Sequence, residues 1–147
     1  MKEGDEWGKI KFKELPNKSM AYSCMDKEER KLYNKILEIK NKQINKAYKV
    51  KSMCETLIEY FKLSDNVRER IYEYIKTMEQ FLTSSRIYEE TWACSLIYIA
   101  SILENERVTQ EELCRATGTM ESTIRKGYRI LVDYFNLEEG VAKRGDE

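Results

Sequence analysis

The sequence predicts an all-α fold, and three observations carry that prediction. One proline and six glycines in 147 residues leave little turn chemistry for a sandwich or a barrel. Apolar residues recur at spacings of three and four through most of the chain, the period of one face of a helix. Three stretches, Asp26–Glu29, Ser52–Glu55 and Thr109–Glu112, have the residue types and spacing of a helix capping box. The length suits one domain with a sizeable core. With 41% hydrophobic and 35% charged residues, the expected class is a soluble globular chain with a heavily charged surface.

Residues 1–25, "MKEGDEWGKIKFKELPNKSMAYSCM", show no helical period and hold the only proline, which predicts an extended N-terminal arm with Trp7, Ile10 and Phe12 as anchors. Residues 26–49 are expected to form one long leading helix. Leu32, Ile36, Ile39 and Gln43 or Ile44 recur at helical spacing on one face, and Lys31, Lys35, Lys42, Lys46 and Lys49 lie on the other. Residues 50–137 hold the helical domain proper, and residues 138–147 read as a polar tail.

Within that domain the first helix is expected at about Met53–Leu63, opened by Ser52 and Glu55. "SDN" caps a second from about Val67 to Leu82, which "TSSR" ends. "YEETWACSLIYIASILE", Tyr88–Glu104, is apolar nearly all round, so this helix belongs in the middle of the bundle. Thr109 and Glu112 open a short helix, Gln110–Ala116, and Gly118 suits the left-handed residue that closes it. Thr119 is positioned to cap a last helix, Met120–Phe135, with Ile124, Tyr128, Leu131 and Phe135 inward.

Net charge is +0, so no global basic excess argues for nucleic acid. The charge is unevenly spread, however: +5 over residues 1–50, −4 over 51–106, +2 over 107–129 and −3 over 130–147. A neutral chain can thus still carry local basic faces. Histidine is absent, and Cys24, Cys54, Cys94 and Cys114 are far apart, so the common zinc patterns and histidine-based dyads are excluded. The thiols read as free cysteines of a reducing compartment. Without a glycine-rich phosphate loop or a nucleophile–base pair, the chain is expected to be no enzyme and to hold no cofactor or metal. The N-terminus is polar and resembles no secretory signal. The longest apolar run, "ACSLIYIASIL", is too short to span a membrane.

Several motifs then point to a family. "ACSLIYIASILENERVTQEELCRATGTMESTIRKGYRIL" resembles one cyclin-like repeat of the transcription factor IIB family, which includes archaeal transcription factor B. The shared elements are a small-residue helix ending in "Y-x-A-S" at Ala93–Ser101, then "T-x-x-E-L" at Thr109–Leu113, then "S/T-I-R-x-x-Y-R-x" at Thr123–Ile130. "LSDNVRERIYEYIK" is similar to the family's second helix, and "GDEW" to a short segment that follows the family's zinc ribbon. The resemblance implies a cyclin-like five-helix domain around a central helix, preceded by a long basic helix. It also implies a non-catalytic role in transcription initiation. The chain has length for one repeat and shows no zinc ribbon, so the expectation is a shortened paralogue or regulator.

The resemblance places promoter DNA against the second helix of the helix-turn-helix. In such a motif the N-terminal residues of that helix face base edges. Ser122 and Arg125 match base-contacting positions of the family's second repeat, and arginine can bond guanine bidentately. Thr119 and Thr123 are candidates for phosphate oxygens, and Lys126 and Arg129 add charge. Trp7, Lys31, Lys35, Lys42 and Lys46 are candidates for the partner side, facing the TATA-binding protein, RNA polymerase or a second copy of the chain, with no membrane partner. By the same resemblance the location is cytoplasmic, beside the nucleoid, in an archaeal cell, or nuclear in a eukaryotic one. The alternative is a cyclin-like adaptor that binds only protein through an acidic face, Glu55, Glu59, Asp65, Glu69 and Glu73.

Overall fold

The computed structural model describes residues 25–137. The arm expected at the N-terminus, with Trp7, Ile10 and Phe12, and the polar tail lie outside the described residues, apart from Met25. Seven helices and no strand occur among the described residues: α1 Lys27–Lys40, α2 Lys46–Phe61, α3 Asp65–Thr77, α4 Glu79–Ser84, α5 Glu89–Leu103, α6 Gln110–Thr117 and α7 Glu121–Tyr134.

Helix α5 is the centre, as its sequence requires. Every residue from Glu90 to Ile102 is buried, and α1, α2, α3, α6 and α7 all pack against it. A helix without a polar face has no other stable location. Trp92, Leu96, Ile97 and Ile99 are fully buried. Each such side chain contributes about 1.5–3 kcal/mol by leaving water.

The leading helix differs from the expectation. It does not run from residue 26 to 49. It ends at Lys40, turns through residues 41–45, and α2 begins at Lys46. Asn45 makes the new start: its side chain accepts from the Tyr48 N–H at 2.8 Å. Ser52 therefore lies inside α2, and the Ser52–Glu55 capping box does not form. The apolar residues Ala47, Val50, Met53, Cys54, Leu57 and Ile58 are one continuous inward stripe of α2, which fixes 46–61 as a single helix. The capping boxes at Asp26–Glu29 and Thr109–Glu112 do form, each with both reciprocal bonds.

Helix α1 is an integral part of the packing. Leu32, Ile36 and Ile39 are buried, and the helix lies on α2, α6 and the edge of α5. The elbow between α1 and α2 is tied by three lysines. Lys40 Nζ meets Glu90 Oε2 at 2.8 Å, Lys46 Nζ donates to the Ser85 carbonyl at 2.6 Å, and Lys49 Nζ donates to the Lys40 carbonyl at 2.7 Å. Glu89 and Glu90 sit in the first turn of α5, where the helix dipole favours negative charge. The helix expected from 67 to 82 also breaks, at Met78, into α3 and α4. The break carries Leu82 into the core and sets Phe81 edge-on to Trp92 at 5.8 Å.

Candidate nucleic-acid interface

The turn between α6 and α7 is built on one buried hydroxyl. Gly118 ends α6 with φ 76°, in the left-handed region expected for it. Thr117 Oγ donates to the Leu113 carbonyl at 2.9 Å and accepts the Thr119 N–H at 3.2 Å. Its proton is committed to Leu113, so the contact with Cys94 Sγ at 3.1 Å is a thiol donating to the hydroxyl oxygen. Burial pushes the Cys94 thiol up to about 12, so it stays protonated and able to donate. Burial also raises the thiols of Cys54 and Cys114.

Thr119 does not cap α7. Met120 holds the cap position, and no side chain bonds there. The Thr119 hydroxyl is buried without a hydrogen-bond partner of good geometry, close enough to Cys94 to hold that thiol's value down slightly against the effect of burial. A buried hydroxyl cannot reach a phosphate, so Thr119 leaves the set of outward-facing residues.

Helix α7 rests on α5 through a close crossing at Gly127. A Cβ there would lie 2.3 Å from Ser95 Oγ and 3.2 Å from Ser95 Cβ. The Ser95 hydroxyl meanwhile donates to the Ile124 carbonyl at 3.1 Å. Ile124, Tyr128 and Leu131 are buried on the same side, with the rings of Tyr98 and Tyr128 packed edge-on at 5.3 Å. This footing turns the opposite face of α7 outward.

That outer face carries Ser122, Lys126 and Arg129, all exposed, at the i, i+4, i+7 spacing of one helical stripe. Thr123 and Arg125 are half-buried on its two flanks. Arg125 has a partner that sequence spacing does not reveal. Its Nη1 donates to Gln110 Oε1 at 2.8 Å, across to the start of α6, and lies 4.0 Å from Glu121. The residue matched to base reading thus also braces the two helices. Thr123 and Lys126 line a groove of about 210 Å³ whose other wall is Arg86, Ile87, Tyr88 and Thr91.

Arg86 and Tyr88 were not among the sequence candidates. They come from the α4–α5 connection, which is pinned in place. Ser85 Oγ accepts both the Ile87 N–H at 3.0 Å and the Trp92 indole N–H at 3.3 Å, and Lys46 holds the Ser85 carbonyl. Exposed Arg86 thereby stands across the groove from exposed Lys126. Lys40 Nζ lies 4.3 Å over the ring of half-exposed Tyr88. The only sequence signal for these two was their place just ahead of α5.

The partner-side lysines divide. Lys31, Lys35 and Lys42 are exposed, while Lys46 is half-buried and engaged within the chain. Desolvation lowers the Lys46 pKa, and Glu89 and Glu90 oppose that shift. The acidic face of the alternative reading is partly neutralised, because Arg68 meets Glu55 at 3.1 Å and Asp65 at 2.5 Å. Glu59, Glu69 and Glu73 remain exposed. Among the described residues there is no cluster of side chains able to hold a metal ion, and no helix is long and apolar enough to cross a membrane.

A short helix, a left-handed glycine turn and a second helix with one outward polar face, all set on a central buried helix, define a cyclin-like repeat ending in a helix-turn-helix. The sequence matches the transcription factor TFIIB repeat over residues 39–134, and the chain belongs to that family. It is similar to transcription initiation factor IIB 1 of Thermococcus kodakarensis, 36% identical over 81 residues, covering 54% of this chain and 27% of that protein. It is also 36% identical over 76 residues to transcription initiation factor IIB of Archaeoglobus fulgidus, covering 52% and 23%. The factor of Methanothrix thermoacetophila is 31% identical over 118 residues, 70% of this chain and 35% of that protein. The chain therefore spans about a quarter to a third of the length of these relatives.

Proposed function

We propose that this protein acts without catalysis in transcription initiation, as its family does, with α7 laid against promoter DNA. Its partners would be the TATA-binding protein, RNA polymerase or both, in the cytoplasm beside the nucleoid if its cell is archaeal like those of its relatives. The observation that carries the reading is the outward stripe Ser122, Lys126 and Arg129 on the second helix of the motif, joined across the groove by Arg86. Ser122 and Arg125 face base edges. Lys126, Arg129 and Arg86 meet phosphates, with Thr123 between them. The backbone N–H groups of Glu121 and Ser122, at the start of α7 where no side chain caps the helix, favour phosphate further. Arg125 must exchange its bond to Gln110 for a base, or keep it and act as a brace.

A single module of this size binds DNA weakly on its own, so the test is a footprint on promoter DNA with and without TATA-binding protein. Arg86→Ala with Lys126→Ala is expected to weaken binding and to lower the slope of log affinity against log salt by about 2, one unit for each lost phosphate contact. An unchanged footprint and an unchanged salt slope in this double variant would sink the placement of DNA on α7.

A further inference from the structure

Away from α7, a second groove of about 340 Å³ opens between the start of α2 and the α3–α4 junction. Its lining includes Tyr48, Lys51, Tyr72, Ile75, Lys76 and Glu79. Ile75 and the neighbouring Ala47 are buried and form an apolar floor. Tyr48 stands 59% exposed at the rim, and Ile44, four residues before it, is 40% exposed. Folding does not explain these two, since neither side chain is covered. Lys51 Nζ lies 4.4 Å over the Tyr72 ring. Lys51 and Lys76 are exposed, and neither has a carboxylate partner among the described residues.

We infer that this groove is a docking site for an acidic peptide segment of a partner protein, one apolar side chain entering between Tyr48 and Ile75 while flanking carboxylates meet Lys51 and Lys76. Three observations favour that occupant. The volume is at the small end for a ligand site, which ranges over roughly 300–1,000 Å³, and so fits one large side chain with its neighbours rather than a folded surface. The free charge at the rim is positive, with Lys51 and Lys76 against Glu79, so an acidic segment is both attracted and oriented. The exposed apolar groups are few and rimmed by charge, which is the anatomy of a recognition site. A single-stranded nucleic acid fits less well. It needs successive free rings on which bases stack, whereas Lys51 already covers the Tyr72 face. The groove shares no lining residue with the one beside α7, so both can be filled at once. The inference does not rest on the DNA reading of α7.

The probe is a fluorescein-labelled synthetic peptide with one phenylalanine among aspartates and glutamates, titrated with the whole chain and followed by anisotropy. Saturable binding is expected. It should weaken by about tenfold or more in Tyr48→Ala and in Lys51→Glu with Lys76→Glu, but stay unchanged in Lys126→Ala. All of these positions are exposed, and a melting curve checks each variant. A peptide with alanine in place of the phenylalanine tests the wild-type groove directly and should bind about tenfold more weakly. The inference is overturned by absence of saturation, by equal binding of the alanine peptide, by affinities that both groove variants leave unchanged, or by an oligothymidylate that displaces the peptide and binds more tightly.

Discussion

At the elbow between α1 and α2, Lys40, Lys46 and Lys49 end on a carboxylate or a carbonyl of the chain itself. On α7, Lys126 and Ser122 project from the helix into solvent. In sequence the elbow is the more basic region, +5 over residues 1–50 against +2 over residues 107–129. In space the order of available charge reverses at these positions. A count of lysines measures where positive charge is made, not where it is left over. At the elbow the charge serves to fix the start of α5 and the Ser85–Tyr88 connection, and that connection brings Arg86 beside α7. One basic region thus shapes the other.

The strongest way to break this contrast is to remove the footing of α7. Gly127→Ala places a methyl 2.3 Å from Ser95 Oγ. Overpacking of this kind costs about 3 kcal/mol, partly offset by about 1 kcal/mol of better helix propensity. The expected net loss is about 2 kcal/mol, read as a lower midpoint in urea with an unchanged slope. Ser95→Gly in the same chain should recover most of it, because the clash is with that one side chain. No recovery would place the strain elsewhere.

The elbow comes next. Lys40→Ala removes the 2.8 Å ion pair to the Glu90 carboxylate, which is 5% exposed, and leaves only the weaker influence of Lys46 on it. A buried charged group that loses its partner costs about 1–3 kcal/mol, and Lys40 itself is a quarter exposed, which argues for about 1.5 kcal/mol. Glu90→Gln should reduce that loss when the two are combined. DNA binding should fall only in proportion to the folded fraction, in contrast to the effect of Lys126→Ala. Thr117→Val follows, at about 1 kcal/mol. It keeps the shape but removes the oxygen that accepts from both Thr119 N–H and Cys94. The Cys94 thiol should then react faster with a disulfide reagent as the turn opens more often.

A smaller effect tests how α1 holds the helix-turn-helix. Arg115 bonds Glu29 through two nitrogens at 3.0 Å, and this hydrogen bond, more than any other cause, lowers the Glu29 pKa from 4.5. A carboxylate with a lowered folded value adds stability above its unfolded pKa, and that stability is lost as pH falls through the folded value. The melting temperature should therefore drop below about pH 4.5 more steeply in the wild type than in Arg115→Ala. The difference should be small, because Arg115 is half exposed.

What was legible in the sequence follows from where each signal resides. The all-α class, the buried α5, the Gly118 turn and two of the three capping boxes are local patterns, and the chain folds as they specify. The family was legible in the same way, because its motifs are short and contiguous on α5–α7. The elbow was not. Residues 41–45, "NKQIN", contain no proline or glycine, and lysines at helical spacing continue smoothly across them. The break depends on Asn45 capping α2 and on carboxylates of α5, fifty residues away, receiving the lysines. The candidate interface was half legible for the same reason. Ser122, Lys126 and Arg129 follow from helical spacing alone. The Arg125–Gln110 bond, the burial of the Thr119 hydroxyl and the approach of Arg86 are tertiary facts with no local trace.

The smallest expected effect on stability sharpens the comparison most. Lys126→Ala removes an exposed side chain with no hydrogen bond or ion pair among the described residues, so its unfolding free energy should stay within about 0.5 kcal/mol of the wild type. Lys46→Ala, a half-buried lysine that holds the Ser85 carbonyl, should lose about 1 kcal/mol. If α7 lies on DNA, the pair should separate in the other assay in the opposite order. Lys126→Ala should weaken DNA binding with a shallower salt dependence, while Lys46→Ala should keep the salt slope of the wild type. Equal stability loss in the two variants would mean that Lys126 is as much a structural tie as Lys46, and the contrast between the two basic regions would fall with it.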